Sequence, residues 1–343
     1  MLKLAAGRLT DRGVDRRKLV VGGYALANVA RPLLGVAASW AQVLTLRVAD
    51  RIGKGLRSAP RDALLAASVA PQVRGRAFGV HRSADHLGAM VGPLLAAALL
   101  ATGFDVREVF FAAGVLGALT IATVWLGLKS AAYETAVVVP TERAPLIWRG
   151  LDWRLRAVLV AVAVVTAATV PEALIVLWAT ERGVALAWIP VLWAAAHAVK
   201  ALIAWPLGEV ADRVGALKVL AFGWPMRVAA LLVLAFFQPA GALVWVLFVV
   251  YCSTLAVTEA AERALVASAA PREVQGTAYG WFHLFAGLGA LPGAGLIGLL
   301  WQSAGSRTAL AAAAVAGALA CIAAAALAVR SETLFRARSP SES

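Results

Sequence analysis

The chain has 343 residues, of which 61% are hydrophobic and only 15% are charged, and its mean hydropathy is +0.79. This balance excludes an ordinary soluble domain and predicts an all-α polytopic membrane protein. The formal net charge of +13 does not indicate a nucleic-acid partner, because the basic residues lie in short clusters between apolar runs rather than on one face of a domain.

Apolar runs of spanning length, separated by charged or glycine- and proline-rich turns, predict about ten transmembrane helices. In chain order these cover approximately residues 19–38, 40–62, 77–101, 107–128, 155–179, 187–208, 217–237, 241–267, 277–301 and 308–329. The residues before the first helix are too charged for the apolar segment of a signal peptide. Both cysteines, Cys252 and Cys321, fall inside predicted helices, so neither a disulfide framework nor a CxxC metal site is expected.

Lysine and arginine are concentrated on alternate connections between these helices. The richer set includes the segment before the first helix, the connection between the fourth and fifth helices, and the segment after the last one. The opposite set holds only Arg107, Arg182 and Arg307. The positive-inside rule places the richer set, and with it the C-terminus, in the cytoplasm. An aromatic belt agrees, because five tryptophans then fall at external helix ends: Trp40, Trp178, Trp188, Trp245 and Trp301.

The second predicted helix carries seven charged residues within Arg47–Ala63. Asp50, Lys54, Arg57 and Arg61 are spaced by four, three and four residues, which places them on one helical face. Charges at this depth are costly in lipid, so we expect this basic stripe to line a transport path. The alternative is an amphipathic helix that lies on the membrane surface with its charges solvated.

The sequence also contains an internal repeat with a shift of 201 residues. The matched pairs are Gly7/Gly208, Asp11/Asp212, Arg12/Arg213, Gly75/Gly276, Ala77/Ala278, Phe78/Tyr279, Gly79/Gly280, Gly88/Gly289, Ala89/Ala290 and Gly92/Gly293. We therefore expect two parallel halves of the kind used by transporters. The predicted domains are an N-terminal bundle of about four spans (1–128), a cytoplasmic linker (129–154), a C-terminal bundle of six spans (155–330) and a cytoplasmic tail (331–343).

The two predicted halves are unequal. The second half has two helices ahead of Gly208, whereas only six residues precede Gly7, and the same shift applied to residue 155 gives 155 − 201 = −46. The counterparts of those two helices are thus expected before residue 1. Two interpretations are open: a start codon placed too far downstream, or a shortened, transport-inactive version of a twelve-helix protein.

These motifs resemble the Major Facilitator Superfamily of membrane transporters, and the resemblance covers nearly the whole chain. The residues that fit the family's GxLxDRxGRR motif, after its second helix, are Gly7, Leu9, Asp11, Arg12, Arg16 and Arg17. Val14 replaces a glycine of that motif, which Gly215 keeps in the second copy. The fourth-helix motif RxxxG is similar to the segment with Arg51, Lys54 and Gly55. The fifth-helix motif GxxxGP, associated with proton-coupled exporters, is similar to Gly88, Gly92 and Pro93.

The resemblance implies a two-bundle fold, a bacterial inner-membrane location and alternating access around a central cavity. The cavity residues that it implies are Arg47, Asp50, Arg51, Lys54 and Arg57 on one side and Glu172, Glu259 and Glu262 on the other. Asp11 resembles the motif acid that stabilises one gate state. Glu259 and Glu262 lie on one helical face and are candidates to pair with the basic stripe as a gate. The alternatives are a structural ion pair for Arg51 and a solvated helix end for the two glutamates.

Further ionisable residues fall inside predicted spans. Asp85 and Lys200 both lie about 12 Å from the cytoplasmic side at about 1.5 Å per residue, and we expect them to pair across the two halves; the alternative is that each is satisfied within its own half. Glu172, after Pro171, is a candidate proton relay or merely a polar residue at a helix break. The histidines are candidate proton carriers or ordinary hydrogen-bonding residues: His81, His86, His197 and His283.

These features predict a secondary active transporter. Proton-coupled efflux of a small organic solute is the first hypothesis, and uptake or facilitated exchange of an anionic solute is the second. The expected partners are a small-molecule substrate, protons and the lipid bilayer, with no nucleic acid and no cofactor, and we expect a monomer. An enzyme is not expected, because no nucleophile with a base and no cofactor loop is recognisable, and no HExxH, CxxC or close His/Asp cluster predicts a metal site.

Overall fold

The computed structural model describes residues 1–128 and 148–336, with side chains described as far as residue 327. Nearly all of these residues are helical and none of them forms a strand, which confirms the predicted all-α class. Most of the predicted linker and the end of the predicted tail lie outside the described residues.

The helices follow the predicted order, with one addition at the start. The bounds are α1 Leu2–Asp11, α2 Arg16–Leu33, α3 Trp40–Ala67, α4 Arg74–Ala101, α5 Val106–Gly127, α6 Trp153–Ala167, α7 Glu172–Glu181, α8 Ile189–Val214, α9 Ala216–Phe236 and α10 Ala242–Ala269. The last stretch, Gln275–Arg336, is interrupted at Gly305, whose φ of 82° only glycine adopts readily. This residue separates α11 (275–304) from α12 (306–336).

Eight of the described stretches are long and apolar enough to cross a membrane. The last of them has 56 residues, which is long enough for two spans, α11 and α12. The charged helix α3 is not among the eight, although its 28 residues would suffice. With α3 included and the last stretch divided, the spans correspond to the ten predicted helices. The short helix α1 was not predicted, because its segment reads as a charged turn; Leu4 and Ala6 are nevertheless buried.

The predicted helix 155–179 is broken between α6 and α7. Pro171 has no backbone N–H and disfavours a helical conformation at Val170, so the helix stops at Ala167 and restarts at Glu172. The backbone at this break keeps hydrogen-bond partners, because the Tyr251 hydroxyl donates to the Val170 carbonyl over 2.7 Å. Arg227 donates to the Thr169 hydroxyl over 3.0 Å. A broken helix with satisfied polar groups is what a membrane interior tolerates.

The chain divides into two compact units. Unit 1 contains Met1–Pro71, Gly92–Gly150 and Ala270–Leu284. Within it α2 and α3 approach closely at Gly23 and Gly53, where a Cβ on either residue would lie 2.6 Å from the carbonyl oxygen of the other. Small residues at such crossings are how membrane helices pack tightly.

Unit 2 contains Gln72–Val91, Leu151–Ala269 and Phe285–Ser343. Its core is apolar and includes the fully buried Trp178 and Phe248. The two units are not the two sequence halves, since unit 1 includes the start of α11 and unit 2 includes the first part of α4. The domain boundaries inferred from the repeat stay a prediction about the duplication.

Candidate functional site

In unit 1, the carboxylate of Asp11 at the end of α1 binds the beginning of α11. Its Oδ1 accepts from the Gly276 amide over 3.0 Å and its Oδ2 from the Thr277 amide over 2.6 Å. The first amides of a helix lack intrahelical acceptors and carry the positive end of the helix dipole, so a carboxylate is well placed there. Asp11 is only 1% exposed, and burial raises the pKa of its carboxyl, opposed by the two amides and by Arg16. We call this contact the unit 1 clamp.

Unit 2 repeats the same contact between other elements. Asp212, on α8, accepts from the amides of Gly75 and Arg76 at the start of α4, each over 2.7 Å. These three residues correspond to Asp11, Gly276 and Thr277 by the shift of 201. We call this contact the unit 2 clamp. Each clamp therefore joins a helix of one sequence half to a helix of the other.

Glycine is required at both clamps because the backbones touch. A Cβ on Gly7 would collide with the Gly276 carbonyl, and one on Gly208 with the Gly75 carbonyl. Arg12 and Arg213, which follow the two acids, are exposed, and Arg213 lies 3.7 Å from Glu209. The motif residues found in the sequence thus serve backbone-to-backbone packing and helix capping, which only the tertiary structure reveals.

The basic stripe of α3 is tied to α2 within unit 1. Arg31 donates to the buried Asp50 over 3.1 Å, and the Arg51 guanidinium lies 3.8 Å from the same carboxylate. The Arg57 guanidinium stacks 3.8 Å above the Tyr24 ring. Arg47 and Lys54 are exposed on α3. The stripe is therefore partly neutralised by its own unit, and Arg31 is a partner that the sequence pattern did not indicate.

A buried acid–base contact near the end of α3 was also missed. Asp62 is fully buried, and its carboxylate contacts Arg61 over 2.9 Å and the His283 Nε2 over 2.9 Å. The repeat was a sequence signal for this contact, because the shift of 201 relates His283 to Arg82. In the structure each of these two residues faces a carboxylate: Asp62 for His283 and Glu259 for Arg82.

In unit 2, Glu172 at the start of α7 forms an ion pair with Lys200 of α8. The lysine is 2% exposed, so its charge is almost fully withdrawn from solvent. The pair predicted between Asp85 and Lys200 is therefore wrong in this structure. Asp85 is partly exposed and is satisfied on its own helix by Arg82 over 3.1 Å and His81 over 3.6 Å. The break before Glu172 brings a carboxylate to the buried ammonium instead.

Glu259 of α10 faces α4 inside unit 2. Its Oε2 lies 3.4 Å from Arg82 Nε and 3.5 Å from His86 Nε2. His86 in turn contacts His197 of α8, with 3.1 Å between the two Nδ1 atoms. These partners of Glu259 all lie within unit 2, and its pairing with the basic stripe of α3 as a gate stays a prediction. Glu262 accepts from the Trp224 indole over 3.2 Å.

The GxxxG pair Gly88 and Gly92 of α4 and its repeat copy, Gly289 and Gly293 of α11, differ in their packing. A Cβ on Gly289 or Gly293 would collide with the carbonyl of Ala163 or Ala167 on α6. A Cβ on Gly88 or Gly92 would meet no described atom within 4 Å. Pro93 follows inside α4 without ending the helix. Among the described residues, no group of three histidine, cysteine or carboxylate side chains could hold a metal ion.

Comparison with known proteins identifies relatives of this chain. The family model of the Major Facilitator Superfamily matches residues 1–258. An uncharacterised protein of Mycobacterium tuberculosis is 33% identical over 313 residues, which cover 88% of this chain and 74% of that protein.

Solved structures show the same fold at low identity. The human organic anion transporter MFSD10 aligns with a TM-score of 0.75 at 16% identity, covering 94% of this chain and 81% of that one. The Escherichia coli fucose:proton symporter aligns with a TM-score of 0.66 at 14% identity, covering 95% and 87%. The two clamps and the buried charges described above thus lie in a transporter fold.

Proposed function

As this chain belongs to the Major Facilitator Superfamily, we propose that it exports a small organic solute in exchange for protons by alternating access. The family makes it a multi-pass membrane protein and a secondary transporter, not an enzyme. The direction of transport, the coupling to protons and the class of solute are the proposal.

The ion pair between Glu172 and Lys200 carries the proposal. An ionised pair inside apolar helices is expensive, and ionisable groups kept at such a position mark substrate or proton pathways. Protonation of Glu172 would remove its charge and release Lys200, which would then lack its partner. Export, rather than uptake, rests on the similarity of Gly88, Gly92 and Pro93 to the motif of proton-coupled exporters.

Alternating access needs contacts that form in one state and break in another. We assign this role to the two clamps, because each joins helices of different sequence halves through two hydrogen bonds and a glycine contact. The charge distribution further supports an orientation in a bacterial inner membrane with the clamps and the C-terminus on the cytoplasmic side. We propose that the protein acts there as a monomer.

A second candidate, uptake or facilitated exchange of an anionic solute, is favoured by the exposed cations of α3. Arg47, Arg51 and Lys54 are exposed along this helix, and clustered cations attract anions. MFSD10, the human protein of similar fold, is an organic anion transporter.

Everted membrane vesicles distinguish proton-coupled export from the movement of an anionic solute without protons. After energisation, a quenched acridine dye reports the proton gradient while ethidium, tetraphenylphosphonium and benzoate are added in turn. Proton-coupled export predicts dye recovery with at least one compound, lost in Glu172→Gln and kept in the matched control Glu273→Gln, whose carboxylate is exposed. Benzoate movement that ignores a protonophore, with no dye recovery, would contradict the proposal and favour the anion candidate.

A further inference from the structure

We propose that His86 and His197 together form a second proton-binding site in unit 2, beside the Glu172–Lys200 pair, a role that rests on the proposed proton exchange. The two rings belong to α4 and α8, and both residues lie in unit 2. Neither the family motif nor the repeat points to them: the shift of 201 relates His86 to Gly287 and would place the counterpart of His197 before residue 1.

The pair is the last of a row of contacts along two antiparallel helices. From the unit 2 clamp, Gly75 touches Gly208, and a Cβ on Gly79 would lie 2.6 Å from the Ala204 carbonyl oxygen. One turn further, the Ser83 hydroxyl donates to the Ala201 carbonyl over 2.6 Å. The His86–His197 contact follows with 3.1 Å between the Nδ1 atoms. Among these four contacts between α4 and α8, the histidine contact is the one in which both side chains can gain or lose a proton.

The geometry limits how many protons the pair can hold. Because the same atom of each ring faces the other, one Nδ1 must donate and the other must accept. If His197 donates, neutral His86 carries its proton on Nε2, and this nitrogen lies 3.5 Å from Glu259 Oε2. One added proton, bound at a free ring nitrogen, leaves the shared hydrogen bond intact. A second would set two N–H groups against each other and break the contact.

The charges around the pair favour one added proton over two. Glu259 is accompanied by Arg82 at 3.4 Å and by Arg263, which donates to its backbone carbonyl. Beside His197, Lys200 is paired with Glu172, and beside His86, Asp85 contacts Arg82 and His81. The cations Arg82, Lys200 and Arg263 thus balance the carboxylates Glu172, Glu259 and Asp85. With neutral histidines this set of six charged groups has no net charge, and each proton that binds to a histidine adds one positive charge. The second proton therefore binds against the charge of the first.

The consequence is a proton-dependent contact between helices from the two sequence halves. With no added proton or one, the rings join α4 to α8. With two, like-charged rings repel and the end of the row that is remote from the clamp separates. When the second proton leaves to water or to Glu259, the contact re-forms.

Two solute-free measurements test this site. Solid-state nitrogen NMR of histidine-labelled protein in lipid, assigned with His86→Asn and His197→Asn, follows both rings from pH 8 to pH 5. We expect opposite neutral tautomers at high pH and joint titration of the two rings. In parallel, Ser83→Cys and Ala201→Cys, with Cys252 and Cys321 replaced by alanine, report the contact between α4 and α8 through a bifunctional thiol reagent.

The control carries His86→Asn and His197→Asn together, because two amides keep a hydrogen bond but bind no proton. The ratio of cross-linking with the histidines to cross-linking in this control cancels the pH dependence of the thiols. We expect the ratio to fall about tenfold on acidification, which corresponds to about 1.4 kcal/mol of differential proton binding between the joined and the separated helices. A constant ratio, or two rings that titrate independently, overturns the proposal. Dye recovery in vesicles with a constant ratio overturns the histidine site alone. A falling ratio without dye recovery contradicts proton-coupled export and the coupling role of the histidines, and leaves only a proton-dependent contact between α4 and α8.

Discussion

Unit 1 and unit 2 contain the same clamp but different buried acid–base contacts. In both clamps an aspartate caps the first amides of a helix, and the glycine pairs coincide under the repeat shift. Further along, unit 1 has Asp62 against His283, whereas unit 2 has Glu259 against Arg82 and a histidine pair.

This difference shows which contacts the two repeated halves still share and which contacts have diverged. A backbone contact that admits no Cβ allows only glycine, and a helix start that lacks acceptors selects a short acidic side chain. The acids further along, Asp62 and Glu259, need only some cationic or protonatable partner, and His283 and Arg82 fill that role at matching positions. Divergence of these partners leaves unit 2 with the larger titratable network, where we place proton coupling.

The largest expected effect contrasts the buried ion pair of unit 2 with the half-exposed ion pair of unit 1. Glu172→Gln leaves Lys200 buried without its partner and should lower the free energy of unfolding by about 3–5 kcal/mol. Asp50→Asn in unit 1 should cost about 1 kcal/mol or less, because the Arg31 side chain is 46% exposed and can be hydrated. Thermal unfolding in detergent measures both. The double variant Glu172→Leu with Lys200→Met should recover most of the loss; equal losses in the two units would contradict this contrast.

The two clamps should respond alike and independently. Asp11→Ala removes the acceptors of Gly276 and Thr277 and should cost about 1.5–3 kcal/mol, as hydrogen bonds to charged groups do. Residue-resolved hydrogen exchange should accelerate at these two amides.

The matching variant in unit 2, Asp212→Ala, should accelerate exchange at Gly75 and Arg76. Asp15→Ala, which removes the N-terminal cap of α2, serves as the control and should change neither pair. Exchange that rises at both clamps in every variant would show that the aspartates act through global stability instead.

Glycine substitutions should separate the packed positions from the open ones. Gly208→Ala forces a Cβ into the Gly75 carbonyl and should cost about 1–3 kcal/mol, as overpacking does. Gly88→Ala meets open space and should be neutral or slightly stabilising, because alanine favours the helix. Melting temperatures compare the two, and a Gly208→Ala protein as stable as the parent would refute the clamp packing.

The smallest effect concerns the ionisation of Asp11. Burial raises the pKa of this carboxyl, so the folded protein binds its proton at a higher pH than the unfolded chain does. Between those two pKa values the folded state holds more protons, and its stability therefore falls as pH rises through that window. Asp11→Asn should remove this contribution. Melting temperatures of both proteins from pH 4 upward measure it, and identical slopes would contradict it.

Local patterns were sufficient for much of the fold and for the clamp residues. Apolar runs of spanning length located the helices, and the repeat singled out Asp11 and Asp212 before any contact was known. The interruption at Pro171 was visible only as a proline, because a membrane helix can also continue through one. Equal depth in the membrane predicted the pairing of Asp85 with Lys200, but depth does not distinguish the sides of a helix. In the structure Lys200 pairs with Glu172 instead.

Composition and the length of the apolar runs were enough to predict a helical membrane protein, because the thickness of the bilayer imposes a length and an apolar content on every span. The 201-residue repeat predicted its duplication. The partners of its charged groups were decided only in three dimensions. Pairing such as Glu172 with Lys200 or His86 with His197 joins residues 28 and 111 positions apart, and it depends on how helices rotate and cross. No local sequence pattern encodes those angles, since they result from packing over the whole of each helix.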